Sequence, residues 1–203
     1  MNKEEKLKSI MDEWKGFTDG VRVLFLIWRK KEGAKVDRNL KIRKLVSLDE
    51  EEFEKCLEQL LDLKERYAEL PLRIYSSVNK RNMDKAIRKF KELQLENDYQ
   101  DKAQFYGFYK DIKNRWISSI MRNSSRLETQ FIIDIDNEDK DYLKKIESEI
   151  LEHTELIKKY KTRNGYHLIV RPFNPNLIKS YSKDGHIYED VSLKKDDLVL
   201  LDY

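Results

Sequence analysis

One short segment, Phe131-Ile132-Ile133-Asp134-Ile135-Asp136, restricts the fold and chemistry of this chain more than any other. Its apolar β-formers predict a half-buried strand, in which residues two apart point to the same side. Asp134 and Asp136 then project together, and two close carboxylates stay ionised only beside positive charge. Mg²⁺ or Mn²⁺ would supply that charge, because both ions favour hard oxygen ligands. The alternative is a strand that runs out into an acidic, solvated turn, and the segment alone leaves both interpretations open.

The composition is that of a folded, highly charged protein. Charged residues make up 39% of the 203 residues, yet 8 Phe, 11 Tyr and 3 Trp argue against disorder, since disordered chains are poor in aromatic residues. A net charge of +3 neither requires nor excludes a nucleic-acid partner. The single cysteine, Cys56, excludes a disulfide framework and a Cys-rich zinc site. The longest apolar run, residues 23–28, is far shorter than the ~20 residues of a membrane span. We therefore expect a soluble, cytoplasmic protein with no membrane partner.

Apolar patterning predicts alternating strands and helices. The predicted strands cover residues 21–30, 39–47, 72–75, 129–136, 166–171 and 198–201, and the first two pair across a loop that contains Gly33. The predicted helices cover residues 3–14, 49–68, 83–93, 103–122 and 139–159. Ser47 is the expected N-cap of the second helix, with Glu50 as its reciprocal partner. The predicted fold class is α+β, a mixed sheet flanked by helices, in one domain with an N-terminal α/β part (1–70) and a core (71–203).

A histidine follows a strong turn signal in the string Lys161-Thr162-Arg163-Asn164-Gly165-Tyr166-His167. Asn-Gly favours a hairpin turn, which places His167 near the start of a strand. Lys161, Arg163 and Arg171 surround it with positive charge, as at a phosphate site. The glycine would let a ligand approach the backbone closely. The alternative, a hairpin with a structural histidine, is the commoner situation for a lone histidine.

The C-terminal apolar strand ends on Asp202, which offers a third carboxylate to a metal site. Asp190 and Asp197 are competing candidates. The alternative is an ordinary strand at a frayed chain end.

The order apolar-Asp-x-Asp, small-x-His, apolar-Asp is carried by Asp134 and Asp136, by Gly165 and His167, and by Asp202. This order resembles the archaeo-eukaryotic primase superfamily, the primase-polymerases. The string of residues 162–167, together with Arg171-Pro172-Phe173, is similar to compact members from phages and mobile elements. The resemblance is specific over residues 128–173 and loose elsewhere.

The resemblance implies an RRM-like catalytic core that performs template-dependent nucleotidyl transfer with Mg²⁺ or Mn²⁺. Asp134, Asp136 and Asp202 would hold the metals, and His167 would contact the phosphates of the incoming nucleotide. The implied partners are nucleoside triphosphates, single-stranded or primed nucleic acid, and a helicase or another replication protein. We expect a cytoplasmic protein. A compact phage member would act in the cytoplasm of the host cell.

Two further stretches are candidates for nucleic-acid contacts. Arg73, Asn79 and Arg81 belong to a strand and the basic loop that follows it, and loops of this kind at helix starts bind phosphate; a capped helix with solvated cations is the alternative. Residues 105–126 mix aromatic and basic side chains, as in a stacking platform for single strands. Because those aromatic residues follow helical spacing, we expect most of them in the core.

Three functions remain open from the sequence. The first is metal-dependent nucleotidyl transfer of the primase-polymerase type. The second is a catalytically inactive module of the same fold that binds single-stranded nucleic acid or a replication or defence protein. The third is a metal-dependent nuclease that uses the same carboxylates.

Overall fold

The computed structural model describes residues 2–28, 40–178, 180–182 and 184–202. The chain divides into two compact units. The N-terminal unit comprises Met1–Leu127 together with Leu198–Tyr203, and the central unit comprises Glu128–Asp197. Across the described residues, no helix has the length and apolar character needed to span a bilayer.

The described residues form both α-helices and β-strands. In chain order they are α1 (Lys3–Glu13), β1 (Arg22–Trp28), β2 (Leu40–Ser47), α2 (Glu50–Arg66), β3 (Leu72–Ser77), α3 (Met83–Asp98), α4 (Lys102–Lys110), α5 (Ile112–Met121), β4 (Phe131–Ile135), α6 (Lys140–Leu151), β5 (Leu156–Lys161), β6 (Tyr166–Val170), β7 (His186–Tyr188), β8 (Val191–Lys194) and β9 (Leu198–Asp202).

The N-terminal unit contains a four-stranded sheet in the order β2-β1-β3-β9. Strand β1 is buried at consecutive positions, so both of its faces are covered. Helix α2 packs against β1, β2 and β3, and α5 packs against β1. The buried face of α2 presents apolar side chains at helical spacing, namely Phe53, Cys56, Leu57, Leu60 and Leu61.

The central unit contains a five-stranded sheet in the order β5-β6-β4-β8-β7, with α6 as its helix. One face of the sheet and the apolar side of α6 form a core, which includes Ile133 and Ile135 of β4 and Leu143, Ile146 and Ile150 of α6. Because side chains alternate along a strand, Asp134 lies on the opposite face of this sheet.

The α+β class is confirmed, but the expected mixed sheet is wrong. Every described strand pairing is antiparallel, in two separate sheets. Alternation of elements along the chain does not determine which strands become neighbours, and here hairpins and antiparallel returns prevail. The predicted pairing of the first two strands is confirmed, whereas Gly33 lies outside the described residues.

Three predicted element boundaries are corrected. The single helix over 139–159 is wrong: α6 ends at Leu151, and β5 begins at Leu156 as the first arm of the hairpin that Asn164-Gly165 closes. The helix over 103–122 breaks at Asp111, which ends α4 and begins α5. Ser47 is the last residue of β2, and Asp49 caps α2 instead by accepting from the backbone N–H of Glu52.

Candidate functional site

The candidate site lies on the sheet face of the central unit that is opposite α6. Strand register pairs Asp134 of β4 with His167 of β6 on one side and with Ser192 of β8 on the other. Tyr160 of β5 pairs in turn with His167. Directly paired residues on neighbouring strands present their side chains to the same face, so the sheet order itself assembles this row of polar groups.

Asp134 and His167 form a short polar contact. Nε2 of His167 lies 2.7 Å from Oδ1 of Asp134, and both side chains are 15% exposed. The hydroxyl of Tyr160 lies 2.7 Å from Nδ1 of His167. One ring nitrogen contacts Asp134 and the other contacts the tyrosine hydroxyl, and these two contacts set the orientation of the imidazole.

Lys194 of β8 provides the positive charge beside Asp134. Its Nζ lies 2.5 Å from Oδ2 of Asp134 and 3.4 Å from Oδ2 of Asp197. Burial opposes ionisation of Asp134, but the hydrogen bonds and charges of His167 and Lys194 outweigh it, so the pKa of this carboxyl is well below its ordinary value. The counter-charge that the sequence analysis assigned to a metal ion is therefore supplied here by an ammonium group.

Asp136 lies immediately beyond the C-terminal end of β4 and is exposed. Its backbone N–H donates to the carbonyl oxygen of Asp190 at 2.8 Å. The carboxylate of Asp190 accepts from the hydroxyl of Tyr142 and from the amide of Asn137. Asp190 therefore fixes the chain at the end of β4 and is fully engaged in that role.

Gly165 is required by the fold at this strand end. A β-carbon on Gly165 would lie 1.9 Å from the carbonyl oxygen of Ile135 and 2.7 Å from the backbone nitrogen of Asn137. The close approach that the sequence analysis assigned to a ligand is made by the chain itself. The Gly-x-His motif thus brings the turn before β6 against the backbone on either side of Asp136.

Asp202 lies on β9, in the N-terminal unit. Nζ of Lys6 lies 2.8 Å from Oδ1 and Nζ of Lys64 lies 2.6 Å from Oδ2, so both carboxylate oxygens are engaged within that unit. The side chain is 10% exposed. These contacts make Asp202 part of an ion-pair cluster between α1, α2 and β9.

The predicted basic contacts differ in exposure. Asn79 and Arg81 are buried in the N-terminal unit, and Nη1 of Arg81 donates to the carbonyl of Met121 at 3.4 Å, so both belong to the interior packing. Arg73 lies partly exposed on β3. Lys161 and Arg163 are exposed at the end of β5 and in the following turn, and exposed Arg171 pairs with Glu155.

No three His, Cys, Asp or Glu side chains are grouped as a metal site within the described part of the chain.

Sequence reasoning missed Lys194 and Tyr160. The alternation Val191-Ser192-Leu193-Lys194 is a period-2 pattern that predicts Lys194 on the polar face of a strand.

No family model, curated protein or solved structure matches this chain.

Proposed function

We propose that the central unit binds a metal–nucleoside triphosphate and performs nucleotidyl transfer of the primase-polymerase type. The observation that carries this proposal is the 2.7 Å contact between Asp134 and His167. The two residues belong to motifs that are distant in the sequence, and the register of β4 and β6 makes them direct neighbours. This is the pairing that a shared nucleotide site requires.

The topology of the central unit supports an RRM-like core. Its elements follow the order β4-α6-β5-β6-β7-β8, and the strands lie in the order β5-β6-β4-β8-β7, so β5-β6-β4-β8 is the four-stranded part that compares with an RRM-like sheet and β7 is an added edge strand. Strand β4 is central and α6 covers one face, as in a split β-α-β unit. Asp134 and His167 lie on the sheet face opposite α6, where their side chains are 15% exposed.

The donor chemistry at the end of β4 fits a magnesium–nucleotide complex. Asp134 and Asp136 would hold the cation, since Mg²⁺ is usually bound by one or two carboxylates and completed by substrate phosphates. A group of three protein ligands is therefore not required. The cation would supply charge neutralisation on the phosphates and activation of the attacking hydroxyl.

The charges around Asp134 match a ligand that carries both signs. The carboxylates of Asp134 and Asp136 suit a cation, and the donors of His167 and Lys194 suit phosphate oxygens. In this structure Asp134, His167 and Lys194 contact one another, and the Asp136 carboxylate is exposed at the end of β4. A metal–triphosphate complex offers each group a stronger partner of the sign that it needs. Exposed Lys161 and Arg163 add positive charge near the same hairpin.

A second candidate, a non-catalytic module that binds single-stranded nucleic acid, is favoured by one observation. Lys194 and His167 contact both carboxylate oxygens of Asp134. If this pairing is permanent, binding depends on the basic side chains alone. Such binding would be independent of Mg²⁺ and of Asp136.

The deciding experiment measures nucleotide incorporation on primed and unprimed single-stranded templates with Mg²⁺ or Mn²⁺. The wild type is compared with the double variant Asp134→Asn/Asp136→Asn and with Asp141→Asn, a matched control whose carboxylate is 92% exposed on α6. Extension that is lost only in the double variant supports the transferase. Metal-independent binding without extension supports the second candidate. Shortening of labelled strands with Mn²⁺ and no nucleotides would instead indicate a nuclease.

A further inference from the structure

Tyr160 of β5 carries a hydroxyl that the proposed transfer chemistry does not use. Among the six described residues of β5, Tyr160 alone is buried, with 8% exposure. The strand lies at the edge of the central sheet, and the two neighbours of Tyr160 along the chain, Lys159 and Lys161, are exposed, as is usual for an edge strand. A tyrosine that is buried at such an edge needs a partner for its hydroxyl.

His167 is a partner of this hydroxyl. The hydroxyl oxygen of Tyr160 lies 2.7 Å from Nδ1 of His167, and the two rings meet edge to face with their centroids 5.2 Å apart. Strand register pairs Tyr160 with His167 and His167 with Asp134. The three side chains therefore form a row in which the imidazole is central, with one ring nitrogen facing the phenol and the other facing the carboxylate.

The two contacts of the imidazole differ in what they require. An ionised carboxylate is only an acceptor, so the nitrogen that lies 2.7 Å from Asp134 must donate. A phosphate oxygen is likewise an acceptor, and Nε2–H of His167 can serve either one. The tyrosine hydroxyl donates to an unprotonated Nδ1 or accepts from a protonated one, so it is a partner of Nδ1 in both cases.

The inference rests on the proposed function, in which Asp134 turns to a cation. Nε2 of His167 then loses the carboxylate oxygen that it contacts in this structure. An imidazole held only by that contact would be free to rotate, because χ2 of histidine is a soft torsion. The contact between Nδ1 and Tyr160 lies on the other side of the ring and does not depend on Asp134.

We propose that Tyr160 is a positioning residue for triphosphate binding and acts through His167. Its hydroxyl retains the imidazole while Nε2 exchanges a carboxylate oxygen of Asp134 for a phosphate oxygen. The variant Tyr160→Phe isolates this role, since phenylalanine keeps the ring that packs on His167 and removes only the hydroxyl.

The first measurement needs neither metal nor nucleotide. Long-range ¹H–¹⁵N NMR of the full-length protein at one pH records the ring nitrogens of its three histidines, and His167→Gln identifies the signals of His167. Tyr160→Phe should shift the Nδ1 signal of His167. The matched control is Tyr188→Phe, which removes a hydroxyl that donates to Glu149 from the same sheet and should leave the His167 signals in place.

The second measurement is the affinity for ATP and dATP with Mg²⁺, by isothermal titration without a template. Tyr160→Phe should weaken binding at least about tenfold, and Tyr188→Phe should bind as the wild type does. Because Tyr160 acts only through His167, the double variant Tyr160→Phe/His167→Gln should bind no more weakly than His167→Gln alone.

A shifted Nδ1 signal together with a non-additive loss of affinity supports the positioning role. An unchanged Nδ1 signal, an unchanged affinity in Tyr160→Phe, or additive losses in the double variant would overturn it and leave the transferase proposal standing. Absence of ATP and dATP binding by the wild type is a different result. It would refute the proposed function, and the positioning role would fall with it.

Discussion

Gly165 packs so closely against Ile135 that a β-carbon on the glycine would lie 1.9 Å from the carbonyl oxygen of the isoleucine. The contact joins the turn before β6 to the end of β4, which is where both proposed functional motifs meet. Because the neighbouring atoms belong to the backbone, no side-chain rotation can relieve the clash.

Gly165→Ala should therefore destabilise the protein by about 3 kcal/mol or more, the upper range for overpacking. Either β4 or the turn must shift, which separates the strand end at Asp136 from the hairpin. Urea denaturation followed by circular dichroism measures the loss. Gly107→Ala is the control, since its new methyl group meets no atom and should stabilise α4 by about 0.5–1 kcal/mol. Equal stability of the two variants would contradict the packing role of Gly165.

Much of the secondary structure could be predicted from the sequence, because apolar residues recur at the spacing of strands and helices. Strands β1 to β4, β6 and β9 and helices α2 and α3 all coincide with predicted segments. One cause of failure is that helix and strand patterns overlap in short polar segments. The run Leu156–Lys161 is mostly charged, and only its pairing with β6 makes it a strand. Strand β7 has only three residues, too few for a period to show, and β8 was missed although its sequence alternates apolar and polar residues.

The candidate site was accessible only in part. Asp134 and His167 could be found from residue types and local turn signals, because each lies in a recognisable motif. Lys194 could not be assigned to Asp134, because that contact depends on β8 being the neighbour of β4. Sheet order is a tertiary property, and the sequence pattern of one strand does not contain it. For the same reason, the involvement of Asp202 with Lys6 and Lys64 could not be foreseen.

The Asp134 network should make stability dependent on acid pH. The pKa of Asp134 is lowered in the folded protein from an ordinary value of 3.8, so its contribution is complete above about pH 4 and is lost as the pH falls further. Asp134→Asn should be less stable than the wild type at pH 6, and the difference should shrink toward pH 3. Urea denaturation of both proteins at several pH values measures this. A difference that is constant with pH would mean that the carboxylate charge contributes nothing.

Lys194 should compete with divalent cations for Asp134. Its ammonium group contacts both Asp134 and Asp197, so Lys194→Gln leaves these two carboxylates without that counter-charge. Binding of Mn²⁺, followed by electron paramagnetic resonance, should strengthen by about tenfold, or ~1.4 kcal/mol. Lys144→Gln, which removes an exposed ammonium group from α6, should leave Mn²⁺ affinity unchanged. Weaker Mn²⁺ binding in Lys194→Gln would show that the lysine does not occupy the cation position.

The variant Asp202→Asn tests whether Asp202 has a structural or a catalytic role. The Asp202 carboxylate contacts Lys6 and Lys64, whose side chains are 30% and 17% exposed, so Asp202→Asn removes the negative charge that both ammonium groups contact. We expect a loss of about 2 kcal/mol, below the ~3–5 kcal/mol of a fully buried pair because both lysines retain some water. Burial already lowers the pKa of Lys64, so this lysine carries much of the cost.

Replacing Lys64 by Met in the Asp202→Asn background should therefore recover part of the lost stability, as measured by urea denaturation in the absence of metal ions. A metal-ligand role for Asp202 makes the opposite prediction about the stability of Asp202→Asn. A carboxylate reserved for a cation would repel its neighbours in the metal-free protein, and its neutralisation would leave stability unchanged or raise it. Unchanged stability in Asp202→Asn, with transferase activity lost, would support the metal-ligand role that the sequence motif implied.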